Sequence, residues 1–154
     1  GVLNKGKEII SIEKELDIAV NYLEIMKICH PDKFKYVIDC PKPVKKQSIN
    51  KLTLQPILEN AIHHGFDQMP SGGMICIAGK LEDHKVILEI SDNGKGIGMD
   101  CLNDRDREKG FHMESFGLAN TDERIKLYFG REYGISIVGQ QRGTRIRIEL
   151  PAME

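Results

Sequence analysis

A chain of 154 residues, 40% hydrophobic and 29% charged, fits one globular domain that buries a core without disulfide or metal staples. Its formal net charge of −1 excludes a broad electrostatic pull toward nucleic acid or an anionic membrane surface. The four cysteines, Cys29, Cys40, Cys76 and Cys101, form no C-x-x-C pair, which argues against a zinc ribbon or dithiol redox motif and suits reduced, buried thiols.

From Glu8 to Cys29, apolar residues recur at helical spacing (Ile9, Ile12, Leu16, Ala19, Val20, Leu23, Met26), predicting one long amphipathic helix. His30-Pro31-Asp32 ends it, because the residue before proline is pushed out of the helical region. Residues 34–40 alternate like a strand, and Pro41-Lys42-Pro43 breaks the pattern. Residues 49–65 read as a second helix with Gly65 as its C-cap. Residues 74–81 and 86–91 are β-branched runs joined through Glu82-Asp83-His84-Lys85, a predicted hairpin. Asp92 to Gly98 is too rich in glycine for either element. Residues 99–115 are polar and densely charged, as expected of a mobile loop. Residues 116–129 read as a third helix stopped by Gly130, and residues 135–138 and 144–150 as closing strands. The order α-β-α-ββ-loop-α-ββ lacks strict βαβ alternation. It predicts an α/β (α+β) two-layer sandwich: a mixed, mostly antiparallel sheet with helices on one face. No run approaches the ~18–20 apolar residues of a membrane span. No signal peptide is evident. The start at Gly1 is expected of a piece of a longer protein.

Four segments carry candidate chemistry. In Leu54-Gln55-Pro56-Ile57-Leu58-Glu59-Asn60-Ala61-Ile62-His63-His64-Gly65, a turn of about 100° per residue places Asn60 on one face with His63 and His64. Leu54, Leu58 and Ile62 lie on another. An amide oxygen suits a hard cation such as Mg²⁺, although an amphipathic surface helix gives the same pattern. Asp92-Asn93-Gly94-Lys95-Gly96-Ile97-Gly98 follows a strand, and its glycines permit close approach of a flat ligand. Asp92 could accept from an exocyclic amine. No Gly-Lys-Ser/Thr follows, so the segment is not a Walker A loop, and a plain glycine turn is the alternative. Ser115-Phe116-Gly117-Leu118-Ala119-Asn120 leads a loop into a helix N-terminus, a setting that suits phosphate; a structural anchor at Phe116 would look alike. Gly143-Thr144-Arg145 opens the last strand.

Together, in this order and spacing, these segments resemble the nucleotide-binding domain of the gyrase, chaperone, histidine kinase and mismatch-repair ATPase superfamily. Asn60 falls in its N-box, Asp92 to Gly98 in its D-x-G-x-G box, Gly117-Leu118 in its second glycine box, and Thr144 in its late Gly-Thr. Leu54-Gln55-Pro56…Glu59-Asn60-Ala61…His64-Gly65, Tyr22-Leu23-Glu24-Ile25, Gly117-Leu118-x-Asn120-x-x-x-Arg124 and Gly143-Thr144…Leu150-Pro151 are similar to the LytS/YesM-like sensor kinases. The resemblance implies a Bergerat-type ATP-binding fold, with residues 1–30 a connecting helix from a dimerisation segment and residues 31–154 the catalytic domain. It implies that Asn60 holds Mg²⁺ and that Asp92 reads the adenine amino group. Gly94, Gly96, Ile97 and Gly98 would line the adenine pocket, and residues 99–115 would form a lid. Gly117, Leu118 and Asn120 would lie near the phosphates, with Thr144 supporting Asp92. His63 would meet the phosphates where many kinases carry Lys, with His64 a neighbouring pocket residue.

Three departures qualify these roles. His63 in place of Lys weakens a fixed positive charge. Ser115 stands where the second glycine box usually begins with Gly. The ATP-hydrolysing branches place a Glu four residues before the N-box Asn; here Pro56 occupies that position and offers no base. Glu59 is adjacent to Asn60 but about 100° around the helix, so it is a catalytic candidate of undefined role. Transfer to a protein is thereby favoured over hydrolysis.

None of His30, His63, His64, His84 or His112 sits on a suitable dimerising helix, so the acceptor His is expected outside this chain. The implied function is transfer of the ATP γ-phosphoryl to a histidine on a separate dimerisation domain, with a response regulator downstream. The implied location is the cytoplasmic side of a membrane-anchored bacterial receptor, with no part of this chain inserted and no nucleic-acid partner. An anti-sigma-factor-type serine/threonine kinase and a degenerate nucleotide-binding regulator share the boxes.

Overall fold

The computed structural model describes residues 8–96, 117–139 and 142–153. The first helix begins at Ile12 rather than Glu8, because Ser11 takes the N-cap: its backbone is extended and its hydroxyl accepts the Lys14 N–H at 3.1 Å. The residues before it form a short strand, β1 (Ile9–Ser11), antiparallel to β3 (Ser48–Asn50). Helix α1 then runs Ile12–Cys29, and His30 caps it before Pro31 as expected.

Strand β2 (Phe34–Asp39) is followed by a break that is itself a single helical turn, α2 (Lys42–Lys45), since proline at the first positions pre-sets the helical φ. The second helix is shorter than its sequence pattern suggests. Ile49 and Asn50 pair with β1 instead, and α3 covers Leu54–Asn60. It continues as one π turn, Ala61–Gly65, in which the Phe66 N–H reaches back five residues to the Ala61 carbonyl at 3.0 Å. Gly65 lies inside that turn, and Phe66 caps it.

Strands β4 (Gly73–Glu82) and β5 (Lys85–Asp92) form the predicted hairpin. Helix α4 (Ala119–Phe129) ends at Gly130, and β6 (Gly134–Val138) and β7 (Thr144–Pro151) close the chain. The five-stranded sheet has the order β2-β4-β5-β7-β6; β2 and β4 are parallel and the other pairs antiparallel. Mixed and mostly antiparallel, it is the sheet the sequence predicts.

Alternation along the strands decides which face is covered. Ile75, Ile77, Val86, Leu88, Ile90, Ile146, Ile148 and Leu150 point inward. They meet Ile12, Leu16, Ala19 and Leu23 of α1, Leu54, Ile57 and Leu58 of α3, and Ile125 of α4. Within residues 1–30, read from sequence as a connecting helix, the described part from residue 8 contributes Ile12, Leu16, Ala19 and Leu23 to the same core. The other face carries cross-strand charges: Glu89 bonds Arg147 at 3.0 Å and lies 3.5 Å from Arg145. Cys29 is exposed and Cys40 and Cys76 are only half-buried, which corrects the expectation of buried thiols; Cys101 lies outside the described residues. Among those residues no helix is long and apolar enough to cross a membrane.

Candidate functional site

A cleft opens between the end of α3 with its π turn, the end of β5, and the start of β7. Ile57, Asn60, Ala61, His64, Gly65, Asp92, Lys95, Gly96, Thr144 and Ile146 line it. Its floor is backbone stacked on backbone. The Lys95 N–H donates to the Gly65 carbonyl at 2.9 Å, and the Gly94 Cα packs so closely that a Cβ there would lie 2.5 Å from the Gly65 oxygen. Gly143, with φ of 76°, crosses directly over the Asp92 carbonyl and leaves no room for a side chain. Glycine at 94 is therefore a requirement of space, and at 143 one of both space and backbone angle.

Asp92, the last residue of β5, is the centre of the cleft. Its Oδ1 accepts the Gly94 N–H at 2.8 Å, and the Thr144 backbone amide, opposite it in the β5–β7 register, also bonds the carboxylate. Burial pushes the Asp92 carboxyl above the ordinary carboxylate value, outweighing the two amide bonds that favour the charged form. A half-desolvated carboxylate with spare acceptor capacity, set beside apolar Ile57 and Ile146, can receive N–H donors from a ligand. Asn93 fixes the segment from behind: its Oδ1 accepts the Met74 N–H at 2.7 Å and its Nδ2 donates to the Gly72 carbonyl at 2.9 Å.

The mouth is clasped by Lys95, whose Nζ lies 3.0 Å from Asp67 Oδ2 and, chiefly through that hydrogen bond, holds the Asp67 carboxyl below its usual value. Lys95 is thus a cation at the cleft that the sequence reading did not single out. Gly65, Ile57, Ala61 and Ile146 were missed as well. Ile146 was detectable, since it alternates with Thr144 along the last strand.

The structure brings Asn60, His64, Asp92, Gly96 and Thr144 together, with Gly94 in the floor. It does not bring His63 into the lining. The widened π turn rotates His63 toward the end of α1, where its ring meets His30 edge-on at 6.2 Å. Glu59 also faces α1: its Oε1 accepts from Gln55 Nε2 at 3.1 Å, and its charge bears on Tyr22. Burial, with Glu59 adding to it, pushes the Tyr22 hydroxyl up to about 12. Leu118 is fully buried in the core, while Gly117 and Asn120 are exposed; none of the three lines the cleft. Ile97, Gly98, residues 99–115 and Phe116 lie outside the described residues.

The model of histidine kinase-, DNA gyrase B- and HSP90-like ATPases matches residues 49–154. Sensor histidine kinase YesM of Bacillus subtilis (strain 168) is 34% identical over 150 residues, covering 97% of this chain and 25% of that protein. Sensor histidine kinase BtsS of Escherichia coli (strain K12) is 31% identical over the same shares. The chain therefore spans about a quarter of the length of these relatives. Among solved structures, the catalytic domain of histidine kinase ThkA superposes with a TM-score of 0.69 at 16% identity, covering 94% of each chain. Acinetobacter baumannii histidine kinase AdeS gives a TM-score of 0.66 at 16% identity, over 96% of this chain and 68% of that one. At such identities these likenesses bear on the fold.

Proposed function

Because the chain belongs to the histidine kinase-, DNA gyrase B- and HSP90-like ATPase family, we propose that it is the ATP-binding catalytic part of a sensor histidine kinase, donating the γ-phosphoryl to a histidine on a separate dimerisation domain. ATP binding follows from the family. The observation that carries the placement of its base is Asp92, a half-buried carboxylate at a slot floored by glycine backbone. Its free acceptor positions suit the adenine amino group. Gly94, Gly96 and Gly143 keep side chains out of the plane of the base, Ile57 and Ile146 supply apolar walls, and the Thr144 amide holds the carboxylate in place.

Asn60 stands at the opposite wall, on the last residue of α3. Its amide oxygen is a hard donor of the kind Mg²⁺ accepts, and it lines the same cleft as Asp92, so the residues present fit the metal. When bound, Mg²⁺ would neutralise phosphate charge. His64 and Lys95, both in the lining, are positioned to meet the triphosphate. The family resemblance gives Ile97 and Gly98, both outside the described residues, a role at the base, and Gly117, Leu118 and Asn120 one near the phosphates. Glu59 and His63, turned toward α1, act through the scaffold and not on the nucleotide. Pro56 leaves no carboxylate in the first turn of α3 to activate water, which directs the γ-phosphoryl to a protein acceptor. Catalysis is then a matter of positioning and charge neutralisation.

The acceptor histidine and a response regulator lie in other domains, and the parent is a membrane-anchored receptor with this part on the cytoplasmic side. The test is to mix the chain with ATP labelled at the γ-phosphate and the parent's dimerising helices. Acid-labile label on those helices is expected. Acid-stable label would point to a hydroxyl acceptor and overturn the reading.

A further inference from the structure

Helix α3 is too short to stand alone, and its own N-cap residue does not cap it. Thr53 has helical backbone angles and its hydroxyl donates away, to the Asn50 carbonyl at 2.6 Å. The amides that lead into the helix and its first amide, Leu54 N–H, are bonded from α1 instead. Glu15, only 1% exposed, accepts the Leu52 N–H at 3.0 Å through Oε1, and the Thr53 and Leu54 N–H groups at 2.7 and 3.0 Å through Oε2. A carboxylate is suited to three donors at once, because both of its oxygens only accept.

The same helix touches the α3 segment twice more. Tyr22 lies beside Glu59, the neighbour of Asn60, and His30 at the end of α1 meets His63 in the π turn. Between these points Leu16, Ala19 and Leu23 share the core with Leu54, Ile57 and Leu58. Thus α1 lies alongside the whole of α3 and its π turn, with a hydrogen-bonded anchor at Glu15. A hydrogen-bonded helical turn carries a displacement of its first residues to its last, because close-packed elements shift as units.

We propose that Glu15 is a positioning residue for the nucleotide site: through its three amide bonds α1 sets the position of α3, and with it the Asn60 amide that meets the metal-bound phosphates. This rests on the reading of Asn60 given above. The arrangement ties α1 to one wall of the cleft, since the Glu15 bonds go to Leu52, Thr53 and Leu54, while Asp92 stands at the end of strand β5 in the sheet. Ile57 and Gly65 share that wall and border the base slot. Asp92, the hydrogen-bonding partner of the base, is held by the Gly94 and Thr144 amides, so displacing α1 alters how the phosphates are held more than how the base is held.

The test is calorimetry of the full chain with ATP, in Mg²⁺ and in EDTA, on wild type, Glu15→Gln, Asn60→Ala and the double variant. Gln offers one oxygen and turns an NH₂ toward N–H donors, so Glu15→Gln should cut the Mg²⁺-dependent gain in affinity about tenfold, within the range of directly coupled residues. Affinity in EDTA should change by less than about twofold, and Glu15→Gln should remove little more once Asn60 is Ala. Equal losses with and without Mg²⁺, or effects that simply multiply in the double variant, would show a general structural role and overturn the proposal. If Glu15→Gln does not fold, as judged by circular dichroism, Glu15→Asp takes its place. Asp keeps the charge one methylene short and should give an intermediate loss of the same gain, and a wild-type gain in folded Glu15→Asp overturns the proposal. A different failure belongs to the underlying reading: a wild type without any Mg²⁺-dependent gain, or an Asn60→Ala that keeps it.

Discussion

The two ends of β5 reverse or redirect the chain by different means. At one end Asp83 and His84 both hold left-handed backbone, with φ of 50° and 63°, and neither is glycine. Both are exposed, and the Ala152 N–H donates to the His84 carbonyl at 2.9 Å without crowding either side chain. At the other end Asp92 runs into Gly94 and Gly96 beneath Gly143, where backbone lies against backbone. A hairpin turn tolerates side chains in strained angles because it has space. The cleft end cannot, because an added Cβ meets a neighbouring peptide. Glycine there shapes a flat surface, and that surface is what a planar base needs.

Substitutions at the two ends should separate these explanations. The largest effect is expected from Gly94→Ala, whose Cβ would lie 2.5 to 2.6 Å from the Gly65 peptide. Either that contact or the Lys95–Gly65 hydrogen bond must give. Overpacking of this kind should cost about 2 kcal/mol of stability in denaturant unfolding. ATP binding should be abolished, measured by calorimetry. A variant as stable as wild type would mean that the backbone stacking is not tight.

Asp92→Asn should divide function from stability. The Asp92 carboxyl is raised by burial, so its charged form opposes folding. That penalty is present above the raised value, is relieved as pH falls through it, and is gone below the unfolded value. The neutral amide escapes it, so Asp92→Asn should melt at or above the wild-type temperature at pH 7, with the difference shrinking toward pH 4. ATP binding should nevertheless be lost. In the wild type, binding should fade with acid at a higher pH than an ordinary aspartate would give, as Asp92 takes up its proton. A melting temperature that falls together with binding would make Asp92 a structural residue.

The smallest effect belongs to the other end. His84→Gly relieves a left-handed side chain and gives the Asp-Gly sequence that two-residue hairpins favour. A gain of about 0.5 kcal/mol is expected after the entropy lost to glycine. Nucleotide affinity should not move, since the turn sits at the far end of β5.

How much of this was legible in the sequence depended on the range of the interaction responsible. The β4–β5 hairpin, the Asp92 segment and the closing strands announce themselves locally, through β-branched runs punctuated by glycine and a two-residue reversal. The β1–β3 pair did not, because Ile9 and Ile10 carry the same apolar spacing as the helix they precede. The break fell at Ser11, which sequence alone could have suggested as an N-cap. The start of α3 was hidden because its cap comes from Glu15, some forty positions earlier, and no local signal marks it. The separation of His63 from His64 was hidden too. It follows from one π turn, and a 100° rotation per residue puts both on the Asn60 face. Asn60 and Asp92, both in the lining of the cleft, were visible from residue type and order.

The most direct test of the Asp92 cleft is base selectivity in the intact wild-type chain. Adenine presents an amino group where guanine presents a carbonyl oxygen, and an acceptor-only carboxylate distinguishes the two. Calorimetric titration with Mg²⁺·ATP and Mg²⁺·GTP should show ATP binding tighter by about 100-fold or more. Equal affinities, or no binding of either nucleotide, would contradict the assignment of this cleft.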